Sequence, residues 1–158
     1  MRKVFIELFT ELVRKDPKLL LLIGDVGFSF LDEFKKNFPE QIINCGIMEQ
    51  DMMGTAVGLT KAGFKPWVYS MINFVTMRPF EQVRNDIGYQ NSNVKLLGVK
   101  GSEAYKFLGF SHNIEENEDV HLMSRIPNMN IYVPQTEEET KDIINKEYAR
   151  RGPAYIRL

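Results

Sequence analysis

Four short segments of the chain carry residue types that could do chemistry at one site. The segment GIMEQDMMGTAVGL places Glu49 at the mouth of a helix that is otherwise mostly apolar and small. A carboxylate there could simply favour the helix N-terminus, whose dipole attracts negative charge. Met48, Met52 and Met53 crowd it, however, and a carboxyl group kept from water can share a proton with a ligand. GFSH puts His112 in a glycine-flanked loop. A lone histidine is commonly structural, yet an imidazole so placed can exchange a proton with a substrate. Asp25 in GDVG could cap the helix that follows or face a ligand. Phe74 in SMINF could pack in the core or offer its ring for stacking.

To act together, these residues need a scaffold that brings distant segments to one edge. Val4, Phe5, Leu8, Phe9, Leu12 and Val13 recur at helical spacing from Arg2 to Lys15, and Asp16-Pro17 stops that helix. KLLLLIG is a short, continuous apolar run closed by Gly24, the pattern of a strand buried on both faces of a parallel sheet. The alternation continues with a helical segment over 29–38, a strand over 41–45, a helix over 49–62 and a strand over 66–71. Next come a helix over 77–90, a strand over 94–99 and an irregular stretch over 100–112. A helix over 118–125, the strand NIYVP, a helix over 137–150 and the strand PAYIRL complete the order, with no repeat, low-complexity tract or linker. Six strands alternating with six helices predict right-handed crossovers and a three-layer α/β/α fold around a mostly parallel six-stranded sheet. Ligands of such sheets bind beyond the carboxyl ends of the strands. Asp25, Glu49, Phe74 and the segment ending at His112 all follow strands, and together they describe a pocket for a flat, nitrogen-bearing ring.

The 158 residues, 44% hydrophobic, suffice for one well-filled core and predict a single domain over 1–158. Lys and Arg total 20 against 21 Asp and Glu, and they are scattered, so the chain shows no basic footprint for nucleic acid or an anionic membrane surface. The one cysteine, Cys45 in IINCGI, reads as a small buried residue and points to a reducing compartment. MRKVFIELFTELVRKD lacks the apolar core of a signal peptide, and no stretch reaches membrane-spanning length. A cytoplasmic, soluble protein is expected.

Four segments, GIMEQDMMGTAVGL, NFVTMRPFEQVRNDIGYQNSNVKLLGV, GFSH and RIPNMNIYVP, come in the order and spacing of a known family. On them the chain resembles the pyrimidine-binding domain of thiamine diphosphate enzymes, most closely the transketolase and deoxyxylulose-phosphate synthase group. The resemblance implies that Glu49 hydrogen-bonds N1′ of the cofactor's aminopyrimidine and favours the imino tautomer, whose 4′-nitrogen deprotonates thiazolium C2. It implies that Phe74 stacks on the pyrimidine, and that Met71 and Met77, where relatives often carry aromatics, leave a softer apolar wall. Asp25 resembles the family's acidic residue toward the thiazolium side, with helix capping still open as its role. His112 matches the histidine of the Gly-x-Thr-His segment, near the pyrimidine amino group and the reacting carbonyl. Lys100 stands where classical transketolases have histidine, which bears on sugar selection. His121, inside a helix, is given no role. In MRPFEQVRNDIGYQ, the stripe Phe80, Val83, Ile87 argues for packing or a dimer contact. Arg78, Arg84 and Asp86 then read as interface groups and not catalytic ones.

The resemblance also implies a missing half. Relatives hold the cofactor's diphosphate through Mg²⁺ on a second domain with a Gly-Asp-Gly segment and a later asparagine, and this sequence has no such pair. The implied active site is therefore completed by a diphosphate-binding partner subunit that carries the Mg²⁺, in a homodimer or heterotetramer. A start at Met1 followed at once by a full first helix favours a separate subunit over a cut fragment. The expected function is the pyrimidine-binding half of a transketolase-like enzyme moving a two-carbon ketol unit between sugars or sugar derivatives. A decarboxylase, a deoxyxylulose-phosphate synthase-like ligase and a non-catalytic assembly domain are the alternatives. Retention of Glu49, Phe74 and His112 together argues against the last.

Overall fold

Five consecutive buried residues, Leu19–Ile23, form β1, and their side chains alternate between two cores. Leu19, Leu21 and Ile23 join one cluster with Phe5, Phe9, Trp67 and Tyr69. Leu20 and Leu22 join another with Met52, Met53, Val68 and Tyr155. A strand that must be apolar on both faces belongs in the middle of a covered parallel sheet. The computed structural model, which describes residues 1–101 and 103–158, places it there.

The strands are β1 (Leu19–Ile23), β2 (Ile42–Asn44), β3 (Lys65–Met71), β4 (Lys95–Val99), β5 (Asn130–Tyr132) and β6 (Ala154–Arg157), in spatial order β2-β1-β3-β4-β6-β5. Every pairing is parallel, with Leu21 opposite Trp67 and Tyr69 opposite Leu97 fixing the central register. The helices α1 (Arg2–Lys15) and α7 (Glu137–Ala149) pack on one face, supplying Phe5, Phe9 and Ile144. On the other face α3 (Glu49–Lys61), α4 (Ile72–Thr76) and α6 (Glu118–Met123) supply Met52, Val75 and Met123. This is the three-layer α/β/α arrangement the sequence predicts. No helix among the described residues is long and apolar enough to cross a membrane.

The departures are local and have physical causes. The helix expected over 29–38 shrinks to α2 (Asp32–Asn37), because Gly27 and Ser29 take positive φ and Pro39 opens a 3₁₀ turn. The helix expected over 77–90 is split. A helical turn, α4, begins directly at the end of β3, Pro79 interrupts, and α5 (Phe80–Gln82) then runs into a π-helical stretch, Val83–Gly88. Gly88 permits that stretch, since a Cβ there would lie 2.3 Å from Ile126. Cys45 is half-buried against the second core rather than enclosed. On α3, Ala56 faces the core, whereas Gly54 and Gly58 are exposed with open space around them.

At the amino-terminal edge of the sheet lies a buried charge cluster. The Lys95 ammonium, on a residue 2% exposed, sits 3.1 Å from Glu147 and donates to the carbonyl of Arg150. Glu147 also accepts from Arg150 Nε and the Tyr132 hydroxyl. Burial pushes the Lys95 ammonium down to about 8, against the opposing pull of Glu147. Burial alone would raise Glu147, but the Arg150 hydrogen bond and Lys95 hold it below the ordinary carboxylate range. Lys95→Met is expected to cost about 2 kcal/mol, less than a fully orphaned partner would, because Arg150 still meets Glu147. The pH dependence has a definite sign. Between about 8 and the ordinary 10.5 the unfolded chain holds a proton that folded Lys95 has lost, so this group's contribution to stability rises with pH across that window. Urea unfolding from pH 7 to pH 10.5 should show wild type gaining on Lys95→Met; parallel curves would contradict the assignment.

Candidate active site

The carboxyl ends of β1, β3 and β4 open into a cleft of about 370 Å³. Its walls come from the β1 exit, the start of α3, the β3 exit with α4, and the segment around Lys100 to His112. The β1 exit turns sharply, with Asp25 at φ 51°. Asn44, at the end of β2, clamps that turn. Its amide oxygen accepts from the backbone N–H of Asp25 and of Gly46, and its amide nitrogen donates to the Asp25 carboxylate. Asp25 is therefore fixed at the rim of the cleft and caps no helix.

Glu49 is the first residue of α3 and is 5% exposed. The methionines do not enclose it evenly: Met52 and Met53 are buried, while Met48 is exposed. Its compensation is electrostatic. Arg78 Nη1 donates to Glu49 Oε1 at 2.9 Å, and the same guanidinium lies 3.8 Å above the Phe74 ring. A buried carboxyl group beside an aromatic plane thus holds a flat, N–H-bearing cation on that plane.

His112 is positioned by amide side chains. Asn73, buried on α4, donates to the carbonyls of Phe110 and Asn113. Asn113 in turn donates to those of Tyr105 and Gly109. The loop comes so close that a Cβ on Gly101 would lie 2.9 Å from the His112 carbonyl, so glycine is required there. The imidazole packs at 75° to Phe74, 5.1 Å between centroids, and stacks parallel to Tyr105 at 6.1 Å. Ser111 Oγ lies 2.7 Å from His112 Nδ1 and 2.8 Å from the Leu108 carbonyl, which can only accept, so both contacts are made together when the hydroxyl proton goes to Leu108. The hydroxyl oxygen can then only accept from Nδ1–H, which leaves the neutral ring with its lone pair on Nε2.

The structure brings Asp25, Glu49, Met71, Phe74 and His112 into one cleft, with Lys100 on its wall. Met77 does not line it: it follows the last residue of α4, and Arg78 takes the place beside the ring. Arg78, read from sequence as an interface group, is the main addition. Its spacing from Phe74, four residues, is a same-face signal that could have found it. Asn44 and Asn73 carried no comparable signal. Ser70 Oγ, fully buried on β3 and lining the cleft, has no hydrogen-bond partner among the described residues. These features fit a flat nitrogen heterocycle: an aromatic platform, a buried carboxyl group already serving a guanidinium, and an unused hydroxyl in the same cleft. Among the described residues no group of three or more His, Cys, Asp or Glu could hold a metal ion.

Comparison with known proteins returns relatives over the whole chain. The family model described as the pyrimidine-binding domain of transketolase matches residues 1–158. A subunit of apulose-4-phosphate transketolase from Phocaeicola vulgatus is 35% identical over 158 residues, which cover 99% of this chain and 50% of that protein. The 6-deoxy-6-sulfo-D-fructose transketolase subunit SqwH of Clostridium sp. is 30% identical, covering 100% of this chain and 49% of the relative. A solved structure titled a split gene transketolase, inactive beta4 tetramer, superposes with a TM-score of 0.85 at 36% identity, over 99% of this chain and 50% of the other. The chain thus spans about half the length of the curated relatives it matches.

The His112 arrangement is open to direct measurement. Nitrogen-15 NMR of the neutral imidazole should report Nδ1–H in wild type, with His121, the other of the two histidines, as internal reference. Ser111→Ala should shift the ring toward Nε2–H, and an unchanged tautomer would refute the role given to Ser111.

Proposed function

This chain belongs to the transketolase pyrimidine-binding domain family, and on that premise we propose that it is the pyrimidine-binding half of a thiamine diphosphate-dependent transketolase-like enzyme. One observation carries the reading: Glu49, 5% exposed, meets a flat N–H-bearing group lying over the face of the Phe74 ring, inside a cleft at the carboxyl edge of a parallel sheet. When bound, thiamine diphosphate supplies the nucleophilic carbon for transfer of a two-carbon ketol unit between sugars or sugar derivatives.

Each residue then has a task. Glu49 shares a proton with the pyrimidine ring nitrogen, and Phe74 carries the ring on its face with Met71 as a deformable wall. His112, its Nε2 lone pair turned to accept, takes a hydrogen bond from a substrate hydroxyl or from the ring's amino group. Asp25 holds the negative side of the rim, toward a cationic ring. Lys100, on the opposite wall, selects among sugar substrates. The Phocaeicola and Clostridium relatives carry different sugars in their names, apulose-4-phosphate and 6-deoxy-6-sulfo-D-fructose. That difference supports a sugar-type substrate whose identity this half alone does not set.

The cofactor's diphosphate and its Mg²⁺ belong on a partner subunit. Exposed Phe28 and Ile47 line the cleft, and Phe107 and Phe110, 82% and 76% exposed, lie on the segment that leads to His112. An apolar margin of that kind suits a second protein surface closing the site. One relative is named as a single subunit of its transketolase, and another is described as an inactive beta4 tetramer of a split-gene enzyme. Both names support an assembly in which this half alone does not turn over.

The test is Glu49→Gln in the reconstituted enzyme. Glutamine preserves size and hydrogen bonding but cannot exchange a proton, so cofactor affinity should change little. Hydrogen–deuterium exchange at the cofactor's reactive carbon should slow by about a hundredfold or more, the scale of lost acid–base help. Exchange as fast as wild type, with cofactor saturated, would refute the proton-sharing role.

A further inference from the structure

Arg78 makes its two contacts with the two groups that a bound pyrimidine would use. Its guanidinium lies 3.8 Å over Phe74, a residue only 8% exposed, so the ring has no second open face. Its Nη1 takes Glu49 Oε1 at 2.9 Å. A guanidinium and a ring-protonated 4-aminopyrimidine are the same kind of object: flat, cationic, and bearing N–H donors in the plane. A ring stacked on Phe74 at van der Waals distance needs the volume that this guanidinium fills. Both cannot be there.

We infer that Arg78 is an internal competitor for the pyrimidine seat, and that it thereby sets which rings can enter. The inference rests on the ring-binding reading above. The Arg78 side chain is 45% exposed, whereas the Glu49 side chain is 6% exposed. The arginine can therefore swing to solvent without opening the core, and the carboxylate cannot follow it. Whatever displaces Arg78 must replace both of its contacts. An apolar aromatic ring would recover the stacking but strand a buried carboxyl group, which is costly. A ring with an in-plane N–H recovers both. The seat accordingly rejects flat apolar molecules and admits aminopyrimidines, and it stays closed over a satisfied carboxylate when no ligand is present.

The test uses the whole chain in three forms, wild type, Arg78→Ala and Arg78→Met, each first checked for native unfolding behaviour. The probe is 4-amino-5-hydroxymethyl-2-methylpyrimidine, followed by NMR on the ring signals of Phe74 and His112. Both variants should bind it about tenfold more tightly than wild type, the scale of one partly exposed ion pair plus one cation–π contact. Methylguanidinium should bind in the place vacated in Arg78→Ala and compete there with the pyrimidine, while leaving the wild-type ring signals unmoved. Equal or weaker pyrimidine binding by the variants, no detectable binding to any form, or no competition by methylguanidinium would overturn the inference. Thiamine diphosphate binding by the wild-type chain with its partner subunit separates the two readings. If that complex binds the cofactor and the variants gain nothing, only the role of Arg78 falls; if it does not bind, the proposed function falls.

Discussion

A carboxyl group withdrawn from water must find a partner, and the site is organised around how Glu49 finds one. At the first position of α3 it could have turned its side chain to solvent, as Asp51 does two residues later. Instead it points into the cleft at 5% exposure, and Arg78 comes from beyond α4 to meet it. That contact explains why α4 must start at once after β3. A loop there would leave Phe74 and Arg78 free to diverge, whereas α4 and the turn after it, closed by the Met77 and Arg78 backbone N–H groups on the Asn73 carbonyl, bring the two side chains together. Asn73, on the same turn, then ties the His112 loop to the same small element through two carbonyls. One helical turn thus sets the aromatic plane, the cation and the imidazole loop relative to one carboxyl group.

The sheet separates this arrangement from the Lys95–Glu147 cluster, one of two buried charge clusters in the fold. Lys95 and Glu147 lie at the start of β4 and near the end of α7, on the amino-terminal side, where Lys95 pairs in register with Trp67 and Ala154. Asp119 is held near the other end by Arg157 and the Tyr155 hydroxyl, over a β4 glycine whose Cβ would collide with that tyrosine at 2.6 Å. Both clusters are internally satisfied. Ser70 Oγ, one of four buried side-chain atoms without a partner among the described residues, and the exchangeable Arg78 contact sit in the cleft instead. Groups without a fixed partner are the ones available to a ligand.

The parts of this structure legible in the sequence are those set by periodicity over many residues. α1 begins and ends where its apolar spacing and Asp16-Pro17 place it, and β1 is the continuous apolar run closed by Gly24. Glu49 at the opening of α3 is likewise a pattern visible in the letters. INFVT was not legible as a helix because five mostly apolar residues after a strand read equally well as more strand or as a connection. Met77, placed beside the ring by the resemblance alone, lies outside the cleft, and Arg78, four residues after Phe74, lines it. The clamps Asn44 and Asn73 depend on contacts across 19 and up to 40 residues, which no local pattern encodes.

An arginine in the ring's place also gives a physical reason for dividing such a site between two surfaces. Standing alone, this half is electrostatically complete: Glu49 is paired, Phe74 is covered, and neither is left waiting for a ligand. A pyrimidine arriving by itself gains roughly what it displaces, one in-plane hydrogen bond and one stacked face, so the exchange is close to balanced. An anchor on a second surface, pulling on the far end of the same molecule, adds binding energy that Arg78 cannot match. In the proposed two-subunit enzyme the ring then enters as an intramolecular step, and the half-site passes from self-satisfied to ligand-bound only when both surfaces engage. Affinity for the whole cofactor can therefore be high while affinity for its ring remains low, without the Glu49 carboxylate standing unpaired in the meantime.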